Sequence, residues 1–396
     1  MDFNFDPEDE EFRRQFRSWL ENNLGDEERA AHSPDPLGEE GASWERRLHW
    51  HRKMHAAGWA GIGWPRQYGG RAASLTQQYI YSEELARARA PQLVNGIGIL
   101  LVGPTLMQWG TEAQKQRHIS RILSADEIWC QGYSEPNAGS DVASLATRAV
   151  EDGDFFVVNG QKVWTSDAHH ADMCILLVRT DPSAPRHQGL SYLLVDMRSP
   201  GVTVRPLVQM TGDAGFNEVF FDNVRVPKDN LVGEKNKGWQ VAITTLMFER
   251  SGIGTRADLV ERVVELAKLA RRPQRNGHGA WQDSAVRQQV TRLYAEATAL
   301  KLAGFRQLTS RVKGLAPGPE GSLLKLAASE LNLRINRLAV QLLGAYGQLV
   351  SGSPCAVEGG VWSYRMLAAR GLTIAGGTSE IQRNIIGERV LGLPKG

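Results

Sequence analysis

Cysteine is scarce: Cys130, Cys174 and Cys355 are the three in 396 residues, far apart and without a Cys-x-x-Cys pair. That excludes a disulfide framework and offers no zinc-ligand spacing, and all three read as reduced, buried, small apolar residues. Excess charge is also missing. The 46 Lys and Arg stand against 44 Asp and Glu, a formal +2, so no global field draws the chain to nucleic acid or to an anionic membrane. Long apolar runs are absent as well. The most apolar stretch, Leu93 to Met107, is broken by Asn95, three glycines and Pro104 and is too short to cross a bilayer. The opening, Met1 to Phe12, is acidic, with neither a basic nor an apolar signal region. A cytoplasmic protein with no membrane insertion is the expectation.

What is present is an ordinary globular composition, 42% hydrophobic and 23% charged. A single core has usually stopped growing at this length, so two or three domains are expected. The first third reads as helical. Apolar residues recur at helical spacing in Glu8 to Asn23 and Ser43 to Ala57, and further helices are predicted over Thr76 to Ala90, from Leu93 onward, and over Thr111 to Leu123. Gly25 to Ala42, polar and rich in Gly, Pro and Glu, reads as a surface loop. The character changes after about Ala125. Phe156, Val157 and Val158, then Asn159-Gly160, then Val163 and Trp164 give the strand, turn, strand signal of a hairpin. Short β-rich runs follow at Cys174 to Val178, Ser191 to Val195, Val202 to Pro206 and Glu218 to Val226. Such runs, with no helix between them, predict a compact antiparallel β domain. From Gly238 the helical period returns in Trp239 to Arg250, Thr255 to Ala270, Ser284 to Val312, Ser322 to Leu343, Pro354 to Leu367 and Ser379 to Leu391. Long helices with short connections predict a bundle.

Four constellations carry candidate chemistry. The run Tyr133-Ser-Glu-Pro-Asn-Ala-Gly-Ser140-Asp lies at the junction of the helical and β regions; its glycine and hydroxyl residues either bring backbone N–H groups close to a polar ring or phosphate, or form a plain junction turn. Trp164, Thr165 and Ser166 set an indole beside hydroxyls, a surface for a flat aromatic cofactor or an ordinary core tryptophan. In Gly376-Gly-Thr378-Ser-Glu380-Ile-Gln382 the Ser379 and Gln382 pair has capping-box spacing, and such a helix start attracts phosphate or simply begins a helix. Finally, Glu249 follows an apolar run, Leu246-Met-Phe. Facing an apolar cavity it would be a base with a raised pKa; otherwise it is a solvated or ion-paired glutamate.

In this order along the chain, these segments resemble the acyl-CoA dehydrogenase family of flavoproteins, over essentially the whole length; Gln341-Leu-Leu-Gly344-Ala-Tyr-Gly347 is a looser further match. The resemblance implies a mainly α fold with a middle β domain: an N-terminal α-helical domain (1–125), an antiparallel β-barrel-like domain (126–237) and a C-terminal four-helix bundle (238–396). It implies bound FAD, with Tyr133 and Ser134 along the flavin, Trp164 beside the ring and Ser166 near N5. Thr378 and Glu380 would contact the adenosine half, Gln341 and Gly344 would serve the FAD of a partner subunit in a homo-oligomer built as a dimer of dimers, and Ser140 and Arg250 would contact the acyl-CoA substrate. No metal is implied.

The implied reaction, within fatty acid or lipid catabolism, is α,β-dehydrogenation of an acyl-CoA thioester to the trans-2-enoyl-CoA, with electrons passed to an electron-transferring flavoprotein. Many members carry the catalytic Glu immediately before the Gly-Thr of the last motif. Here that position is Gly376, which cannot take a proton. A minority place the base on the first helix of the C-terminal domain, in a Glu-Arg pair that Glu249 and Arg250 match, so Glu249 is the expected base. Two other positions depart from the pattern. The Arg-x-x-Phe segment that reaches the FAD pyrophosphate across a dimer has no full counterpart in Arg271 to Asp283, where Arg272 is the candidate, and Met247 replaces an acidic residue often found two positions before the base. Competing readings are an oxidase or flavin monooxygenase on the same scaffold and a non-catalytic subunit of a heteromeric dehydrogenase.

Overall fold

The computed structural model describes residues 5–30, 40–250, 258–273, 278–315 and 318–394. In chain order the N-terminal helices are α1 (Pro7–Asn23), α2 (Asp26–Ala30), α3 (Glu40–Ala56), α4 (Leu75–Ala88), α5 (Gly103–Trp109) and α6 (Glu112–Ser124). The strands are β1 (Trp129–Gly132), β2 (Arg148–Asp152), β3 (Phe155–Ser166), β4 (Met173–Arg179), β5 (Leu190–Asp196), β6 (Val202–Leu207), β7 (Phe216–Pro227) and β8 (Leu231–Val232). The C-terminal helices are α7 (Gly238–Arg250), α8 (Leu259–Arg271), α9 (Ser284–Val312), α10 (Glu320–Leu343), α11 (Val361–Leu372) and α12 (Ser379–Ile385). This is the expected order of a helical region, a β region and a second helical region. The starts of several helices follow from local chemistry. Ser74 and Thr111 each accept a hydrogen bond from the N–H three residues on, while Gln77 and Gln114 reach back to the cap, satisfying N–H groups that a helix start leaves orphaned. Part of the predicted Gly25 to Ala42 loop is helical instead, as α2 and the start of α3.

The chain folds into two compact units that cut across chain order. One comprises residues 41–72 and 92–250. Its sheet runs β6-β7-β3-β2-β4-β5-β8, with β1 added beside β4. Most pairings are antiparallel, as expected, while β1 and β2 pair with β4 in parallel. β4 and β5 are buried at almost every position, and the strand period splits them between two cores. Ile175, Leu177, Tyr192 and Leu194 join Val102, Leu106, Ile122 and Val241 from the helices. Cys174, Leu176, Val178, Leu193 and Val195 join Phe156, Val158, Val219 and Val224 of β3 and β7. Cys130 and Cys174 are buried here as expected, whereas Cys355, in the other unit, is exposed.

The hairpin predicted at Asn159-Gly160 does not form there. β3 continues through both residues, and the chain turns instead at Gly153, between β2 and β3. The reason for a glycine at 160 is a close approach: a Cβ there would lie within 2.7 Å of the Thr147 Cα, and the register against β7 shifts at this point. Asn95 ties the helical and β parts of this unit together. Its buried amide donates to the Ile122 and Glu127 carbonyls, both at 2.8 Å, and accepts from the Trp129 N–H at 3.0 Å. Removing it takes these partners from the Glu127 carbonyl and the Trp129 N–H and leaves the Ile122 carbonyl with the Ala125 N–H at 3.3 Å. Asn95→Ala is expected to lower stability by about 2 kcal/mol, read as a lower urea midpoint at unchanged slope.

The second unit comprises residues 1–40, 73–91 and 251–396. Around Leu266, Val290, Leu331, Ile335 and Trp362, the helices α8, α9, α10 and α11 share one core. The α11 segment starts later than predicted, at Val361, after a short turn over Val357–Gly360. Glu84 of α4 is fully buried, and Arg13 and Arg17 of α1 and Arg87 of α4 surround it with hydrogen bonds of 2.7 to 3.0 Å.

Candidate active site

The Tyr133 to Asp141 run leaves β1 and doubles back on itself at once. Glu135 and Ala138 exchange both backbone hydrogen bonds at 3.0 Å, which makes the Pro136-Asn137 pair a tight turn. Tyr133 is buried, with its ring edge-on to Tyr192 at 6.1 Å. Ser134 is half-buried and Ser140 exposed. The Ser134 carbonyl accepts from the Val163 N–H at 2.9 Å, so this run lies directly against β3 where that strand reaches Trp164.

Trp164 is not a core tryptophan. Its side chain is 60% exposed and its backbone is left-handed, with φ of 60°. That conformation is costly for a residue with a bulky side chain and persists only where neighbours over-determine it. The pairing with β7 is irregular between Lys162 and Thr165, and this bulge throws the indole outward while Thr165 turns in and is fully buried. Phe216 of β7 stands edge-on to the indole at 5.9 Å. Beyond it, Asn217 donates to the Thr165 carbonyl at 2.9 Å and so closes the bulge. Ser166 follows, half-buried. An outward indole with hydroxyl residues on both flanking segments fits a flat aromatic ring with polar edges.

Charged residues that look solvent-facing in sequence hold this corner together. Lys162 is completely buried, and its Nζ donates to the Tyr133 carbonyl at 3.1 Å and to Glu135 Oε1 at 2.9 Å. Glu135, also buried, accepts in addition from the Ala146 and Thr147 N–H groups at 2.7 and 2.9 Å. Burial pushes its carboxyl up, but the Lys162 ammonium and these N–H donors outweigh burial and hold it below the usual glutamate range. Burial shifts Lys162 the other way, below the usual lysine value, against the opposing pull of Glu135. In the sequence Glu135 is one unremarked member of the Tyr133 to Asp141 run and Lys162 belongs to none of the four constellations. The one signal was position, since Lys162 stands two residues before Trp164 and Glu135 two after Tyr133.

α7 carries the expected base. It is pinned to α5 by Thr105 Oγ1 to Thr245 Oγ1 at 2.9 Å and by Trp109 Nε1 donating to Thr244 Oγ1 at 3.1 Å, and to the sheet by the Tyr192 hydroxyl at 3.2 Å from Thr245 Oγ1. Ile243 and Met247 of this helix are exposed, as is Leu100 of the π-helical turn Gly98–Val102 that packs beside it. Glu249 and Arg250 form the last turn of α7, and their side chains lie outside the described residues.

In the other unit, Gly376 and Gly377 lead into α12. The cap is Thr378, whose hydroxyl accepts from the Ile381 N–H at 3.3 Å, rather than the Ser379 expected from the spacing. Ser379 instead turns inward and donates to Glu330 at 2.8 Å. Gln382 reaches back to the Gly376 and Gly377 carbonyls at 3.0 and 3.2 Å, and Lys325 of α10 donates to the Gly377 carbonyl at 2.7 Å, so the loop is fixed one residue earlier. The exposed Glu380 carboxylate takes up its own backbone N–H and the Thr378 hydroxyl, which hold it below the usual glutamate range. A helix start that already bears its own carboxylate does not favour phosphate, and contact with a neutral ribose or base suits Thr378 and Glu380 better.

Gly376 has φ of 66°, a conformation in which a side chain is strained. Gly376→Ala is accordingly expected to lower stability by about 1 kcal/mol, seen as a reduced Tm. Gln341 and Gly344, at the end of α10, are exposed. Arg272 is engaged with Glu358 at 3.2 Å. No helix among the described residues is long and apolar enough to cross a membrane, and no group of His, Cys, Asp and Glu among them is arranged to hold a metal ion.

A helical region, a β region and a second helical region in that order are the layout of an acyl-CoA dehydrogenase. Models of that family's N-terminal, middle and C-terminal domains match residues 6–126, 130–224 and 236–391. The chain belongs to the acyl-CoA dehydrogenase family and is an enzyme of that class, whose members are FAD-dependent. It is 43% identical to acyl-CoA dehydrogenase IpdE1 of Mycobacterium tuberculosis over 394 residues, 98% of each chain. Among solved structures it is similar over 100% of both chains to the Tcur3481-Tcur3483 steroid ACAD, with TM-score 0.87 and 32% identity. The ChsE4-ChsE5 complex from Mycobacterium tuberculosis is similar over the same extent, with TM-score 0.86 and 34% identity.

Proposed function

We propose that this chain converts an acyl-CoA thioester to its trans-2-enoyl-CoA, with Glu249 removing the α-proton, and that it belongs to the subgroup whose base lies on the first helix of a C-terminal domain starting near residue 238. The Trp164 corner carries the reading: strained backbone, an outward indole and flanking hydroxyl residues are what a flavin face needs. Bound FAD supplies the hydride acceptor for the β-carbon. Tyr133, Ser134, Trp164 and Ser166 hold and orient the ring, and Thr378 and Glu380 hold the adenosine half. Ser140 and Arg250 engage the CoA arm. Glu249 would take the α-proton as the β-hydrogen leaves as hydride to the bound FAD, which requires the two C–H bonds to be held in line for concerted loss. Gly376 supports this assignment, since the position that would otherwise carry a base has no side chain and a backbone unsuited to one.

A bulky polycyclic acyl group is the proposed substrate class, supported by the similar structure described as a steroid ACAD. Exposed apolar Leu100, Ile243 and Met247 suit such a group. The assembly is a dimer of dimers in which Gln341 and Gly344 serve a partner's FAD, and an electron-transferring flavoprotein takes the electrons. The two-protein descriptions of the similar structures favour a second reading of the assembly, in which the partner is a related but different chain. Native mass of the purified protein, with its FAD content, separates the two. The function is tested by anaerobic bleaching of the flavin with short, branched, aromatic and steroid acyl-CoAs. Bleaching by the steroid thioesters first is expected; no bleaching by any thioester overturns the reading, and peroxide formed at the turnover rate under air would make the enzyme an oxidase.

A further inference from the structure

Lys162 is fully buried and its partner Glu135 nearly so, and nothing in the reaction uses either charge. Taking both ions out of water is costly, and a well-packed apolar pair would stabilise the fold as well or better. What the ions add is direction. Lys162 Nζ grips the Tyr133 carbonyl and the Glu135 carboxylate, while Glu135 grips the Ala146 and Thr147 N–H groups at the end of the same loop. The next residue of β3, Val163, donates to the Ser134 carbonyl. The segment bearing Tyr133 and Ser134 is thereby locked, residue against residue, to the two positions before the left-handed Trp164. The room for this lock comes from Gly132, where a Cβ would lie 2.8 Å from Leu176 Cδ1 and 3.4 Å from Lys162 Cγ.

We propose that Glu135 and Lys162 are positioning residues that fix the Tyr133-Ser134 segment and the Trp164 bend as one rigid platform for the flavin ring. The proposal rests on the reading that FAD binds at this corner. Neither residue touches the ring; each acts through the backbone it holds. A merely structural pair would affect stability alone, whereas a platform pair affects the flavin's affinity and environment even when stability is kept.

The test uses the full-length Glu135→Gln/Lys162→Met double variant, which replaces the ion pair with a neutral one of similar size, and Glu135→Asp, which keeps the charge and withdraws the carboxylate by one methylene. Amide exchange over residues 133–140 and 162–166 is followed in the FAD-free protein, and FAD affinity and visible circular dichroism in the loaded one. For the double variant, amide exchange at least tenfold faster and FAD binding at least tenfold weaker are expected, with an altered flavin dichroism. Glu135→Asp is expected to shift in the same direction by a smaller factor, and it decides the matter if the double variant does not fold. Exchange and affinity both within twofold of the parent overturn the proposal. Trp164→Ala in the parent separates the two layers. If it weakens FAD while the pair variants do not, the platform role fails alone; if it too leaves FAD affinity unchanged, the cofactor reading of this corner fails with it.

Discussion

Glu249→Gln is expected to give a yellow protein, FAD in place, whose flavin is bleached by acyl-CoA roughly 10²- to 10⁴-fold more slowly than in the parent. The carboxamide matches the carboxylate in shape, so binding of cofactor and thioester is retained, but it does not accept a proton. The α-proton is weakly acidic, and its removal needs a carboxylate poised beside a thioester whose carbonyl is hydrogen-bonded. Stopped-flow bleaching under nitrogen measures the effect directly. Bleaching at the parent rate would move the base elsewhere, and Gly376 offers no replacement. With the rate lost and the flavin retained, a non-catalytic role for this chain is also excluded, because an idle subunit has no rate to lose.

Glu84→Gln is expected to cost about 3 kcal/mol of stability at neutral pH, the largest loss expected among the substitutions considered. Burial by itself would raise the Glu84 carboxyl, but hydrogen bonds from Arg17, Arg87 and Arg13 outweigh it and bring the pKa down to about 2. The folded pKa lies below the unfolded value near 4.5. The contribution is therefore complete above about pH 4.5 and is lost as the pH falls through about 2. The parent should lose stability steeply across that window, and Glu84→Gln, which has no such proton to bind, should show a flatter acid limb. Urea midpoints between pH 7 and pH 3 check this. Equal acid limbs would mean that the Glu84 charge contributes no net stability through the three arginines.

Legibility followed chemistry of short range. Ser284 to Val312 was legible to the residue as α9, because apolar periodicity and the Asp283 cap are local. The strands at 174–178 and 191–195 were legible because continuous apolar runs bounded by turn residues have few other homes. The Asn159-Gly160 dipeptide does not turn the chain because Thr147, just before β2, crowds it. The Ser379 cap was misread for a similar reason: Lys325, more than fifty residues earlier, and Gln382 decide where the loop turns.

The chain by itself determined the family and the absence of a carboxylate at position 376, because each depends on which side chains stand a few residues apart. It also determined the alternation of helical and β regions, since periodicity is written along the chain. Only the tertiary structure decided that Trp164 faces outward in a left-handed backbone, that Lys162 and Glu135 are buried partners, and that three arginines from two helices close on Glu84. Those outcomes are set by burial and, Arg87 apart, by partners 27 to 71 positions away, and sequence spacing does not encode whether a charge will meet a distant counterpart or water.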